Sequence, residues 1–167
     1  LIVSSPIVGE IRNITFKKGV NLIVDKTTLT DKETGNSVGK TTALRALDFC
    51  FGSKQDLFYT DPEFKKDNEI IRNFLIDNEV EFTLTLLSEN DSPLIIYRKA
   101  LPEPKILCKI NNAEYKNLKN FCQDLKVALF FSSADKPTLR QIMTRVIRDT
   151  PDKMSNTLKT LFNKNNY

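Results

Sequence analysis

Hydrophobic and polar positions follow two different periods along this chain, and the changes of period divide it into elements. Residues 11–16 alternate loosely, with Ile14 and Phe16 on one side and Thr15 and Lys17 on the other, which predicts a half-buried strand. Lys18-Gly19 turns into residues 20–24, Val-Asn-Leu-Ile-Val, which are apolar on both faces and read as a central strand. Residues 25–34 are polar and read as a surface insertion. From 40 to 51 the period becomes helical. Ala43, Leu44, Leu47 and Phe51 share one face, Ala46 and Cys50 lie beside it, and Gly52 stands where a C-terminal cap is expected.

Residues 53–69 are polar and charged and read as a loop with one short turn at most. Residues 69–76 fit a strand and a helix equally. Residues 79–87, Glu-Val-Glu-Phe-Thr-Leu-Thr-Leu-Leu, alternate strictly and predict a strand. Residues 89–93 form a turn cluster, and Pro102 and Pro104 separate two further strands at 94–98 and 106–110. The three strands together read as an antiparallel meander. Three helices follow. Leu118, Phe121, Cys122 and Leu125 mark the first, and Leu139, Ile142, Met143, Val146 and Ile147 the second. Thr150-Pro151 opens the third, which carries Met154, Leu158, Leu161 and Phe162, and residues 163–167 form a polar tail. No internal repeat, low-complexity tract or linker interrupts residues 1–167, so they read as a single domain.

Between the second strand and the first helix lies Gly35-Asn36-Ser37-Val38-Gly39-Lys40-Thr41-Thr42. Its end, Gly39-Lys40-Thr41, matches the end of a P-loop in a strand–loop–helix context. Such a loop points backbone amides of residues 36–42 at the α- and β-phosphates of a nucleotide and adds the positive end of a helix dipole. Lys40 reaches the β/γ-phosphates, the Thr41 hydroxyl ligates Mg²⁺, and Thr42 meets the α-phosphate. The full pattern places its first glycine at 34, where this chain has Thr34; Gly35 follows one residue later and supplies the turn's conformational freedom from the adjacent position.

Composition adds limits. Apolar residues make up 40% and charged residues 28% of 167, a globular composition with enough chain for a real core. No apolar run approaches the roughly 20 residues of a membrane span, so no membrane partner is expected. There is no histidine, which excludes histidine acid–base catalysis and histidine metal ligands within the chain. Three cysteines, Cys50, Cys108 and Cys122, lack metal-ligand spacing and read as reduced thiols of a cytoplasmic protein. A net charge of +4 is compatible with nucleic acid but does not argue for it alone.

Hydrolysis asks for an acid that follows an apolar strand. Phe74-Leu75-Ile76-Asp77 offers one superficially, although Asp77-Asn78 also reads as a turn. A guanine-reading Asn-Lys-x-Asp is absent. The chain thus reads as able to bind phosphates and unequipped to hydrolyse them alone, with no catalytic residue of its own.

Residues 39–52, Gly-Lys-Thr-Thr-Ala-Leu-Arg-Ala-Leu-Asp-Phe-Cys-Phe-Gly, resemble the Walker A helix of SMC-type, RecF-like and RecN-like ATPases. Residues 16–24 are similar to the strand-turn-strand that precedes it in those proteins. Tyr97-Arg98-Lys99, residues 109–115 and Pro137-Thr138-Leu139-Arg140-Gln141 are similar to the order found in the N-terminal lobe of such heads. The likeness extends to bacterial SMC-like proteins with a long coiled coil. Thr34 and the insertion at 25–34 depart from it. The resemblance implies an α/β P-loop NTPase half-domain: a strand–P-loop–helix core, an antiparallel β-meander and C-terminal helices. It implies ATP and Mg²⁺ as cofactors. Its implied partners are a C-terminal lobe of the same protein, a second head in a homodimer, and possible DNA. It also implies that the chain is a fragment of a longer protein whose other lobe holds the signature motif and the catalytic acid.

Several residues keep two readings. Gln141 is either a Mg²⁺-ligating Q-loop glutamine or the third residue of a capping box opened by Thr138. Arg45 faces either a phosphate or DNA, or else solvent, and Asp48, off the apolar face, reads as surface or a local ion pair. Lys65, Lys66, Lys116, Lys119 and Lys126 are DNA contacts or a solvated face. Two other classes remain. A small self-contained P-loop kinase would use Asp77 and a lid with Arg140, Arg145 and Arg148, on a parallel sheet. A non-hydrolysing interaction module would keep the loop as a fold element only.

Overall fold

The computed structural model describes residues 1–22, 40–61, 64–87 and 92–147, with the backbone alone for Lys40. Among the described residues six strands form one sheet in the order β2-β1-β3-β4-β5-β6: β1 (Ile2–Ser5), β2 (Gly9–Asn13), β3 (Glu81–Leu86), β4 (Leu94–Lys99), β5 (Cys108–Ile110) and β6 (Ala113–Tyr115). Every pairing among them is antiparallel. Among the same residues four helices accompany the sheet: α1 (Lys40–Cys50), α2 (Glu69–Asp77), α3 (Leu118–Phe130) and α4 (Leu139–Val146). A 3-10 turn at Gln55–Phe58 follows α1. The architecture is mixed α/β. Among the described residues no helix is long and apolar enough to cross a membrane.

The meander of β3, β4 and β5 follows the expected alternation. Phe82 lies opposite Arg98 and Leu84 opposite Ile96; β5 continues these rows with Cys108 beside Arg98 and Ile110 beside Ile96. All six are buried, so one face of the sheet is a closed row in which an arginine takes a slot that the period assigns to an apolar residue. Phe49 of α1, Phe58 of the 3-10 turn and Phe82 of β3 meet as a ring cluster with centroids 5.0–5.5 Å apart. Phe121 and Leu125 of α3 and Leu139 and Met143 of α4 complete the core.

The amino-terminal strands differ from expectation. The predicted strand at 11–16 is β2 at Gly9–Asn13, and it pairs with a strand that the pattern did not reveal, β1. Ser5 turns the chain between them: its Oγ accepts from the amides of Ile7 and Val8, at 3.0 and 3.1 Å. The predicted central strand at 20–24 is not a strand over its described part, 20–22, where Val20 and Leu22 are 89% and 80% exposed. Its neighbourhood is closed on itself instead. The Asn21 side chain accepts from the Lys17 amide at 2.8 Å and donates to the Lys17 and Gly19 carbonyls, a local turn that competes with strand pairing. Among the described residues no two strands pair in parallel, as a self-contained P-loop kinase would require.

Elsewhere local chemistry resolves what periodicity left open. Residues 69–76 lie in the helix α2, because the Asn68 side chain accepts from the Ile71 amide and caps its start. Asp77 therefore ends a helix and does not follow a strand. The predicted strand at 106–110 shortens to Cys108–Ile110 and continues through the two-residue turn Asn111-Asn112 into β6, which was not expected. Asn111 adopts φ 51° there, a left-handed conformation that asparagine tolerates. The Thr138–Gln141 capping box is formed in both directions, at 2.8 and 3.2 Å. The helix expected from Thr150-Pro151 onward and the turn cluster at 89–93 fall largely or wholly outside the described residues.

Gly52 terminates α1 as expected, with φ 91° and its amide donating to the Phe49 carbonyl at 2.9 Å. A Cβ at this position would collide with the Cys122 sulfur. Gly52→Ala should therefore destabilise the fold by roughly 2–3 kcal/mol, from left-handed strain and overpacking together. Urea unfolding checks this, with Cys122→Ala in the same background restoring part of the loss.

Candidate functional site

The candidate phosphate-binding run divides at the start of α1. Gly35, Asn36, Ser37, Val38 and Gly39 lie outside the described residues. Lys40 is the first residue of α1, and Thr41 and Thr42 stand exposed in its first turn. No acidic residue occupies that turn, so nothing in it opposes an anion at the positive end of the helix dipole.

The other end of α1 is fixed by residues far away in sequence. Its last turn contains no basic residue of its own, and its terminal carbonyls need partners. The amides of Gly52 and Ser53 supply some, to the Phe49 and Asp48 carbonyls, and two arginines supply others. Arg98 of β4 donates from Nη1 to the carbonyls of Phe49 and Ser53, at 2.5 and 2.6 Å, and lies 3.8 Å over the Phe49 ring. Arg140 of α4 donates to the Phe51 carbonyl at 3.3 Å and grips Asp48 with both Nη atoms, at 2.8 and 3.0 Å.

Asp48 is therefore neither a surface residue nor part of a local pair. It is 4% exposed, and its partner is 92 residues away. Burial of a carboxylate is tolerable because the pairing is bidentate and charge-assisted. The buried face of α1 is rotated accordingly. Ala43, Ala46, Asp48, Phe49 and Cys50 are buried, while Leu44, Leu47 and Phe51 of the expected face are only half-buried. Arg45 is half-buried and not a solvated position.

Gln141, the second expected Mg²⁺ ligand, holds the capping box: its Oε1 accepts from the Thr138 amide. Its neighbour Arg140 reaches α1 instead, through Asp48 and the Phe51 carbonyl. Among the described residues no group of three or more histidine, cysteine or acidic side chains could hold a metal. The exposed Thr41 hydroxyl is a hard oxygen of the kind that suits Mg²⁺. Of the lysines weighed as DNA contacts, Lys65, Lys66, Lys116 and Lys119 are exposed. Lys126 is buried and donates to the Ala134 carbonyl, which removes it from any such surface.

The three cysteines are unpaired with one another, as expected for reduced thiols, and surround Arg98. Burial pushes the Cys50 thiol up to about 12 and Cys122 up to about 11, and also raises Cys108; Arg98 offsets these shifts in part. The thiols are thus neutral companions of a guanidinium and not its counter-ions. Sequence reading names Arg98 only within the run Tyr97-Arg98-Lys99 and gives it no role. The available signal was its position: alternation from Ile96 places it on the inner face of β4.

Arg140→Met leaves the Asp48 carboxylate buried and alone. Side-chain exposures of 23% for Arg140 and 6% for Asp48 place the expected loss at about 2–3 kcal/mol, below that of a fully buried pair. Chemical denaturation measures it, and Asp48→Asn combined with Arg140→Met should recover part of the loss.

Comparison of the chain with protein families, with curated proteins and with solved structures finds no match.

Proposed function

We propose that this chain binds ATP and Mg²⁺ as the N-terminal head lobe of an SMC-like ATPase. The run Gly39-Lys40-Thr41-Thr42 carries the reading, together with the start of α1 at Lys40 and the exposure of both threonines in its first turn. In this reading the amides of residues 36–42 receive the α- and β-phosphates, Lys40 adds a point charge at the β/γ position, and Thr41 offers Mg²⁺ its hydroxyl oxygen. Mg²⁺ neutralises phosphate charge when bound. For Gln141 to join it, the side chain must first leave its cap on Thr138, at a cost of about 1 kcal/mol.

Catalysis belongs to a composite site. Asp77 ends α2 and no strand delivers an acid to the loop among the described residues, so the chain alone binds nucleotide and hydrolyses it poorly or not at all. A C-terminal lobe of the same protein and a second head complete the site. Nucleotide-dependent head dimerisation then drives a coiled coil or acts on DNA in maintenance, repair or defence, in the cytoplasm. Two observations weigh against the self-contained kinase. The described sheet is wholly antiparallel, and Arg140, needed for a lid, is committed to Asp48.

Lys40→Ala should weaken MgATP binding about tenfold to hundredfold, from the roughly 1.5–3 kcal/mol of a hydrogen bond to a charged group, while leaving thermal unfolding unchanged. Isothermal titration checks this. Equal affinity of both forms would favour the interaction module that keeps the loop for its fold alone.

A further inference from the structure

A cavity of about 270 Å³ opens beside the last turn of α1, at the end of the helix away from Thr41. Phe49, Leu107 and Leu118 give it an apolar wall, and Arg98, Lys54 and Lys105 give it positive charge. Glu103 is the one acid among its described lining residues. Lys99 also reaches it, but that ammonium is already paired, at 2.6 Å with Glu79 and 3.6 Å with Glu81.

The charge on the wall lacks a counter-ion. Arg98 is 5% exposed, yet among the described residues no carboxylate pairs with it, and its Nε has no hydrogen-bond partner. Buried guanidinium groups are ordinarily matched by an acid, because an uncompensated buried charge is costly. Carbonyls, a ring face and neutral thiols satisfy part of this group without neutralising it. Lys54 and Lys105 are exposed at the rim, and neither makes an ion pair among the described residues. Three cations thus face one carboxylate around a largely apolar space, the arrangement by which small-ligand pockets combine burial with a few orienting polar groups.

We propose that this cavity binds a small anion with an apolar body, a carboxylate or phosphate monoester whose head lies between Lys54 and Lys105 in the field of Arg98. The body packs against Phe49, Leu107 and Leu118. The site is independent of the phosphate-binding run, at the opposite end of the same helix.

NMR titration of the full 167-residue chain tests it, with benzoate, phenyl phosphate and the neutral benzamide as probes. Benzoate or phenyl phosphate should shift Lys54, the Arg98 Nε–H, residues 103–107 and Leu118 saturably at millimolar concentration, and the tighter of the two names the head group. Benzamide should bind at least about tenfold more weakly. Lys54→Ala with Lys105→Ala, both surface changes, should cost the anions about tenfold or more with the melting temperature unchanged. Lys40→Ala should leave these shifts intact, which separates this site from the phosphate-binding run. The proposal is overturned by absent or non-saturating shifts, by equal binding of benzamide, by undiminished affinity in the double variant, or by shifts that vanish with Lys40→Ala.

Discussion

The capture of the last turn of α1 by two distant arginines is the interaction on which the rest of this structure depends. The final turn of α1 has no basic residue to match the negative end of its dipole, and the amides of Gly52 and Ser53 use only part of the accepting capacity of its carbonyls. Arg98 reaches them from the sheet and Arg140 from the helical layer. The same two side chains tie three parts of the chain together: α1, the meander and α4. Arg98 costs desolvation in doing so, and burial depresses its affinity for a proton. Two carbonyls and the Phe49 face offset that cost. Gly52 then lets the chain leave the crowded end of the helix, where no side chain would fit.

Fixing one end of a helix orients the other. With Phe49 and Cys50 in the core and Asp48 locked to Arg140, α1 presents Thr41 and Thr42 outward. Seven residues separate Thr41 from Asp48, about 10 Å along the axis, so the anchor and the candidate phosphate site share one short rigid element. The proposed binding role therefore has a mechanical footing in the core, and the second, cationic cavity lies at the anchored end. The two anion sites proposed above thus fall at opposite ends of one helix.

The meander, α1, α3 and α4 were legible because period and cap chemistry agree there: strict alternation at 81–86, the Thr138–Gln141 box, Gly52 after Cys50. The region near the amino terminus was not, because a side chain decided it. Asn21 closes a turn on Lys17 and Gly19 that an apolar run at 20–24 gives no hint of. β1 and β6 are four and three residues long, too short to carry a period. Asp48 and Arg98 were misread or missed for a common reason. Periodicity treats a charged residue as a surface residue, and only the arrival of a partner from far along the chain makes burial tolerable. Of the candidate site, the motif end at Lys40–Thr42 was legible from spacing, whereas the anchor that positions it depends on contacts spanning 45 to 92 residues.

Hydrogen exchange of the full chain with and without MgATP tests the central claim most directly, since it reads the amides of residues 36–42 themselves. Protection confined to those amides and the first turn of α1, and lost when Mg²⁺ and nucleotide are withdrawn, is the result the account predicts. Exchange in that segment unchanged at saturating MgATP would contradict it.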